Sequence, residues 1–347
     1  NAVYLNDGSG GFGAAVNVGT GNDRTYVVAW GDIDGDGDLD LAVGNNGEQS
    51  AVYPNNGNGS FGTAITIGAD RNVLAWGDFD GDGDLDLASG DYNGQSTVHL
   101  NNGNGSFGAN VNFGPPNTYT LSMAWGDYDG DGDLDLAVGN QGQSAIYPNN
   151  GNGGFDDPIN VGPADNYTLG LAWGDIDGDG DLDLAAANGG VQSAVYLNTG
   201  GAFGATVPFG PEYDYAYEEY FYSVAWGDVD GDGDLDLAVG NNGRQSAVYR
   251  NVPRLSLMTH SPVTNSVVAP PAASVVLTYS AAMDAATVRY WTAAVYPMMH
   301  GQVTEAPIVD GAVVTVDPAD AFFPGEPVYA VATTDLADIN GTSPLSS

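Results

Sequence analysis

The chain has no cysteine and no lysine, and only three histidines and six arginines among 347 residues. The lack of cysteine excludes disulfides, thiolate metal sites and thiol nucleophiles. Imidazole chemistry is confined to His99, His260 and His300, which stand in unrelated sequence contexts. The arginines (Arg24, Arg71, Arg244, Arg250, Arg254 and Arg289) are scattered, against 45 acidic residues and a formal net charge of −39. A chain of that charge is repelled by nucleic-acid phosphates and anionic membrane surfaces, and it has no basic patch to offset this. Neither nucleic acid binding nor direct membrane insertion is expected. No apolar run approaches the roughly 20 residues of a spanning helix. Apolar side chains are plentiful at 42%, and so is glycine, with 52 residues. That is enough to bury cores in about two domains.

The negative charge is concentrated. Of 39 aspartates, 25 lie in five copies of D-x-D-G-D-G-D-L-D. These are Asp32, Asp34, Asp36, Asp38 and Asp40; Asp78, Asp80, Asp82, Asp84 and Asp86; Asp127, Asp129, Asp131, Asp133 and Asp135; Asp175, Asp177, Asp179, Asp181 and Asp183; and Asp228, Asp230, Asp232, Asp234 and Asp236. General surface acidification would also use glutamate, yet there are six. Carboxylates at positions 1, 3 and 5 of a tight loop converge on one point, and glycine at position 6 permits the turn. Position 7 offers its carbonyl and position 9 closes the shell. An all-oxygen donor set suits a hard cation, and a flexible shell suits Ca²⁺ better than Mg²⁺. The expectation is one Ca²⁺ per loop, about five in all.

Two other calcium loops are excluded. An EF-hand needs a bidentate glutamate at position 12, where Val43, Ser89, Val138 and Val239 stand. A nonapeptide solenoid would repeat in tandem, whereas these copies are 46 to 53 residues apart. After the loop, Leu39, Leu41 and Val43 alternate with Asp40 and Ala42, the period of a strand.

Each loop belongs to a longer unit: A-W-G-D, the loop, L-A-x-G or a variant, Q-S-A-V-Y or a variant, then, in all but the last unit, N-x-G-x-x-x-F-G and a short apolar strand. In residues 71–114 this predicts strands at 73–76, 84–89, 96–100 and 107–113. Four strands per period of about 48 residues indicate propeller blades. Trp30, Trp76, Trp125, Trp173 and Trp226 are then blade-packing residues. These residues resemble the FG-GAP/VCBS type of calcium-binding propeller repeat found in integrin alpha heads and many secreted bacterial proteins. The resemblance covers about residues 1–252 and implies an all-β, calcium-binding β-propeller, here with five blades. Residues 2–5 and 12–18 match the third and fourth strands of a unit, while 222–250 supply only the first three. The two ends can therefore complete a shared fifth blade with one A-V-Y strand left over; missing upstream blades are the alternative.

From Val252 the acidic loops stop, and proline, valine and threonine rise. Strands are predicted at 274–279, 291–296, 311–316 and 327–332. The segments at 261–266, 279–288 and 314–318 resemble a bacterial Ig-like domain, implying a small Ig-like β-sandwich over 253–347. That resemblance leaves a final strand missing after Asp338 to Gly341.

Other candidates carry less. Tyr213, Tyr215, Tyr217, Tyr220 and Tyr222 in the longest link could stack on a sugar or a protein, or cover their own propeller. Asn58, Asn104, Asn166 and Asn340 begin N-x-S/T tripeptides. Glu218 and Glu219 are an isolated acidic pair, and no catalytic constellation emerges. The expected function is a secreted, calcium-stabilised structural or adhesive protein, extracellular or at the cell surface, such as a subunit of a filament or surface layer. A glycan-binding, lectin-like propeller and a polysaccharide-acting enzyme are the alternatives. The expected partner is a cell-surface or glycan ligand, or a second copy joined head to tail by strand donation.

Overall fold

The computed structural model describes residues 1–251 apart from 20, 22, 70, 92–93, 211–219, 232 and 243–244, and beyond them 257–261, 275–279, 293–297, 307–310, 313–316 and 328–332. No helix occurs among the described residues. The chain divides into two compact units, Asn1–Arg250 and Asn251–Ser347.

The first unit opens with a hairpin of β1 (Ala2–Asn6) and β2 (Phe12–Asn17). Four antiparallel meanders follow. They are β3 (Arg24–Gly31), β4 (Asp40–Asn46), β5 (Gln49–Tyr53) and β6 (Ile65–Ala69); β7 (Arg71–Gly77), β8 (Asp86–Asp91), β9 (Ser96–Asn101) and β10 (Phe107–Phe113); β11 (Thr120–Gly126), β12 (Asp135–Asn140), β13 (Ser144–Tyr147) and β14 (Ile159–Val161); and β15 (Thr168–Gly174), β16 (Asp183–Asn188), β17 (Ser193–Asn198) and β18 (Phe203–Phe209). A three-stranded sheet of β19 (Tyr220–Gly227), β20 (Asp236–Asn242) and β21 (Ala247–Tyr249) ends the unit. Among the described residues, the hairpin and this last sheet are separate, with no strand pairing between them.

Register is the same in every repeat. The A-W-G-D strand pairs with the strand after the loop so that Trp30 faces Leu41, Trp76 faces Leu87, Trp125 faces Leu136, Trp173 faces Leu184 and Trp226 faces Leu237. The glycine before each loop pairs with its ninth residue, as Gly126 does with Asp135. The short L-A-x-G strands β8, β12 and β16 are buried along their whole length. They carry small and aliphatic side chains on both faces because a neighbouring sheet covers each face.

The tryptophans make the sheets stack. All but Trp30 lie on the glycine that precedes the loop of the preceding sheet: a Cβ added to Gly31, Gly77, Gly126 or Gly174 would stand 2.8, 2.7, 2.7 or 2.8 Å from the ring of Trp76, Trp125, Trp173 or Trp226. Three of these indoles also donate Nε1–H to a carbonyl of that preceding sheet: Trp125 to Ala75 at 3.2 Å, Trp173 to Ala124 at 3.1 Å and Trp226 to Ala172 at 3.1 Å. The Trp76 indole nitrogen is buried without a partner. Around each contact the sheets bury a shared core, for example Phe79, Ala88 and Val98 with Leu136, Val138 and Tyr147. Glycine is required there by space alone. Gly126→Ala is therefore expected to cost about 1–3 kcal/mol by overpacking against Trp173, read as a lower denaturant midpoint with an unchanged slope.

In the second unit, β22 (Leu257–Ser261), β23 (Val275–Tyr279), β24 (Ala293–Pro297), β25 (Ile308–Asp310), β26 (Val313–Val316) and β27 (Val328–Ala332) form a four-stranded sheet, ordered β22-β23-β26-β25, and the pair β24-β27. Val275 opposes Val316 and Leu277 opposes Val314, and all four are buried. The alternation in V-V-L-T-Y and V-V-T-V puts one face of this sheet in a core. Strands β22 and β25 were not anticipated from the sequence. The segment Asp338 to Gly341 lies outside the described residues.

Candidate metal centres

Each acidic string connects the first and second strands of a repeat. In the first, the Asp32 carboxylate accepts N–H groups from Gly35 at 2.8 Å and Gly37 at 3.0 Å, Asp34 accepts from Asp36 at 3.3 Å and Asp36 from Asp38 at 2.8 Å. The loop winds around its first carboxylate because both glycines are left-handed, with φ of 71° for Gly35 and 90° for Gly37. The sequence reading required this only of position 6; position 4 needs it equally. The same winding recurs at Asp127 and Asp175.

The structure brings together Asp32, Asp34 and Asp36 in the first loop. In the others it brings together positions 1, 3 and 9: Asp78, Asp80 and Asp86; Asp127, Asp129 and Asp135; Asp175, Asp177 and Asp183; and Asp228, Asp230 and Asp236. In each group one carboxylate oxygen per residue lies within 4.8 Å of the others. Position 5 joins such a group only in the first loop, so Asp82, Asp131 and Asp179 stand outside these triplets, and Asp232 lies outside the described residues. Position 7 turns its carboxylate away toward the following N-x-G turn. Asp38, Asp84 and Asp133 lie against Gly57, Gly103 and Gly151, and Asp181 accepts the Gly200 N–H at 2.7 Å. That leaves position 7 only its carbonyl to contribute, and Asp234 is likewise absent from its loop's triplet.

Position 9 does more than close a shell. Asp135 is buried and accepts N–H groups from Tyr128 at 2.7 Å and Asn149 at 2.7 Å. Asp40, Asp86 and Asp183 repeat this with Ile33 and Asn55, Phe79 and Asn101, and Ile176 and Asn198. Asp236 accepts from Val229. Burial, opposed by these hydrogen bonds and reinforced by repulsion from Asp80 and Asp129, pushes Asp86 and Asp135 up to about 6. Asp40 and Asp183 are raised for the same first reason. These carboxylates are held ionised in the native state only at a cost, and a cation among them would reverse it.

One set of residues went unassigned in the sequence. In three repeats the asparagine that opens the N-x-G turn donates Nδ2–H across to the loop of the preceding repeat: Asn101 to the Ile33 carbonyl at 2.8 Å, Asn149 to Phe79 at 2.7 Å and Asn198 to Tyr128 at 2.7 Å. Each also bonds its own loop, as Asn149 does at Leu134. The first three loops are therefore each tied to the next repeat. The signal was there, since these asparagines follow position 9 at 14 or 15 residues in every repeat.

The other candidates fare unevenly. His99 is buried against Ser89 Oγ at 2.9 Å and Asn110 at 3.2 Å, in the interior of its sheet. Asn166 is buried with its amide engaged by Thr168, whereas Asn58 and Asn104 are exposed. Tyr213, Tyr215, Tyr217, Glu218, Glu219, His300 and Asn340 lie outside the described residues, as do the side chains of Tyr220, Tyr222 and His260.

The donor set fits a hard cation. It is all oxygen, it recurs five times, and Asp78 Oδ1 is buried with no hydrogen-bond partner. Leaving a buried acceptor unpaired costs about 1–3 kcal/mol or more when charged, which a coordinated cation removes. A bound Ca²⁺ would supply charge neutralisation and a rigid joint.

The fold and loops together define a class: all-β proteins built from repeated four-stranded sheets, each entered through an acidic loop. The FG-GAP-like repeat family matches residues 1–43, 32–89, 78–138, 127–186 and 177–239, and the chain belongs to that family. No curated protein matches the sequence. Among solved structures, the chain is similar to the Photorhabdus luminescens Tc holotoxin pore at 20% identity and TM-score 0.38, covering 72% of this chain and 12% of that one. It is similar to an Agrocybe aegerita lectin described as recognising non-reducing terminal N-acetylglucosamine, at 17% identity and TM-score 0.45, covering 90% and 86%. It is also similar to the V. cholerae biofilm matrix protein Bap1, at 13% identity and TM-score 0.41, covering 90% and 53%. The chain thus spans about an eighth of the first structure and half of the third, and at these scores the likenesses carry no functional argument.

Proposed function

We propose that the chain is a calcium-stabilised structural or adhesive protein of the cell exterior, a subunit of an extracellular filament or surface layer and not an enzyme. In this reading the repeats are propeller-type blades, residues 253–347 are an Ig-like module, and about five Ca²⁺ ions sit in the loops. The observation that carries it is the recurrence of a carboxylate triplet in the acidic loop of all five repeats, with the first three loops hydrogen-bonded to the next repeat. Metal held there acts on the stack, as a structural joint does.

The exterior location is part of the same proposal. Extracellular calcium modules bind at roughly 10⁻⁴–10⁻³ M, a level met outside cells, where such loops would be filled. Five ions would bring the formal charge from −39 to about −29, easing the repulsion between repeats. Titration calorimetry on calcium-free protein tests the reading: about five Ca²⁺ per chain, with weaker binding of Mg²⁺, is expected. Fewer than two ions per chain would refute it.

A further inference from the structure

In the second, third and fourth repeats the position-9 carboxylate is bonded through both oxygens, and its two partners lead on to different loops. In the third, Asp135 Oδ2 accepts the Tyr128 N–H and Oδ1 accepts the Asn149 N–H, both at 2.7 Å. Tyr128 is position 2 of the same loop, and its carbonyl accepts Nδ2–H of Asn198, from the fourth repeat, at 2.7 Å. Asn149 belongs to the third repeat, but its side chain reaches back to the carbonyl of Phe79, position 2 of the second loop, at 2.7 Å. The same steps recur on either side. Phe79 donates N–H to Asp86 Oδ2 at 2.8 Å, and Asp86 Oδ1 accepts from Asn101, whose side chain reaches Ile33 in the first loop. Asn198 donates N–H to Asp183 Oδ1 in the fourth loop at 2.8 Å.

These bonds join into one unbroken line from Ile33 to Asp183, which passes through four loops and through a member of three carboxylate triplets. It lies wholly within the four complete sheets, and every residue along it is buried. Away from water such bonds are strong when complete and costly when broken, so a member that moves disturbs its neighbours. The line therefore has two kinds of member. Asp86, Asp135 and Asp183 each belong to one cation site. Each asparagine belongs to two, because its N–H holds the position-9 carboxylate of its own loop while its side chain holds position 2 of the loop before.

We propose that Asn149 and Asn198 are positioning residues shared between neighbouring cation sites, and that through them the second, third and fourth loops fill cooperatively. This rests on the calcium reading above and adds how the sites act on one another. In an empty loop the clustered carboxylates repel, which works against the closed arrangement of positions 1, 2 and 9. A cation on Asp135 removes that repulsion and fixes Tyr128 and Asn149 together. Asn149 then holds Phe79 in place for the second loop, and Tyr128 holds Asn198 in place for the fourth. Both neighbours bind with part of their ordering already done, which is positive coupling. Long-range electrostatics opposes it, since filling one loop weakens the field that draws a cation into the next. A filled loop still sets five aspartates against one divalent cation, so neighbouring sites never become cationic. At about 150 mM salt that opposing effect is screened beyond about 8 Å, whereas the shared hydrogen bonds are direct contacts.

The test is a calcium titration of the full chain at about 150 mM salt, followed by NMR of glycine-labelled protein. Gly83, Gly132 and Gly180 donate N–H to the first carboxylate of their own loops at 3.0, 3.1 and 3.0 Å, so their resonances report the three loops separately. Asp129→Asn removes a carboxylate of the third loop's triplet. It is expected to raise the calcium midpoints of the second and fourth loops at least about fivefold, the low end of coupling between sites. In an Asn149→Ala background the second loop is expected to stop responding to Asp129→Asn while the fourth still responds. In an Asn198→Ala background the pattern is expected to reverse. A general loss of stability would weaken both neighbours alike and could not produce that exchange; Asn149→Ser and Asn198→Ser replace either alanine variant that does not fold. Midpoints of the second and fourth loops that ignore Asp129→Asn would overturn the proposal and leave the calcium reading standing. So would responses that survive both asparagine substitutions. Loops that do not fill at all would refute the calcium reading itself, and the coupling with it.

Discussion

In excess chelator the chain is expected to melt at least about 10 °C below its midpoint in millimolar calcium. A ligand that binds only the folded form, present at a hundred times its Kd, contributes about 2.7 kcal/mol. In a unit of roughly 250 residues each kcal/mol moves the midpoint by about 2–4 °C. One site alone would thus produce a visible shift, and five sites clustered on coupled sheets should exceed it. Removal leaves Asp86 and Asp135 buried, with repulsion from neighbouring carboxylates added to the cost of burial. Because Asn101, Asn149 and Asn198 tie loops to the following sheets, loosening the loops also loosens the stack. The measurement is thermal unfolding by circular dichroism with calcium, magnesium and chelator in parallel. Coincident curves in calcium and chelator would show that the clusters do not hold structural metal.

The second large effect is at position 9. Asp135→Ala removes a carboxylate that satisfies the N–H groups of Tyr128 and Asn149 and belongs to a metal triplet. Each buried N–H left without an acceptor costs about 1–3 kcal/mol, so a loss of about 3–5 kcal/mol is expected even in chelator. Asp135→Asn keeps one acceptor and turns an amide donor toward the other N–H, so it should recover less than half. Asp131→Ala in the same loop is the control. That side chain is exposed, accepts the Asp133 N–H at 2.9 Å, and should cost under about 1 kcal/mol in chelator. Equal losses for Asp135→Ala and Asp131→Ala would mean that position 9 acts only through the metal. Chemical denaturation of the three variants, with and without calcium, separates its backbone role from its role as a ligand.

Much of this was legible in the sequence, and particular residues show why. The strands predicted at 73–76, 96–100 and 107–113 fall within β7, β9 and β10, because alternation of apolar residues between glycine-rich turns is a local signal. The convergence of positions 1 and 3 was also legible, since two carboxylates in one tight loop cannot be far apart. Position 5 was read as a further ligand; it enters a triplet at Asp36, while Asp82 and Asp179 stand beside the third carboxylates Asp80 and Asp177. In the second unit β22 and β25 escaped notice because L-M-T-H-S and I-V-D are short and carry little alternation.

The sequence by itself determined the repeat, its all-β character, the acidic loop and the apolar set of each sheet, because each follows from the chemistry of residues within about ten positions of one another. Only the tertiary structure decided which groups the repeated tryptophan meets and what the repeated asparagine is for. Trp173 meets the Ala124 carbonyl across 49 residues and Asn149 meets Phe79 across 70, distances bridged by the stacking of sheets and encoded in no local pattern. It also decided that Trp30 and Gly227, alike in sequence to their counterparts, differ from them in exposure. The difference is one of position: a residue is covered when a sheet lies in front of it, and the first and last members of a stack have one neighbour fewer.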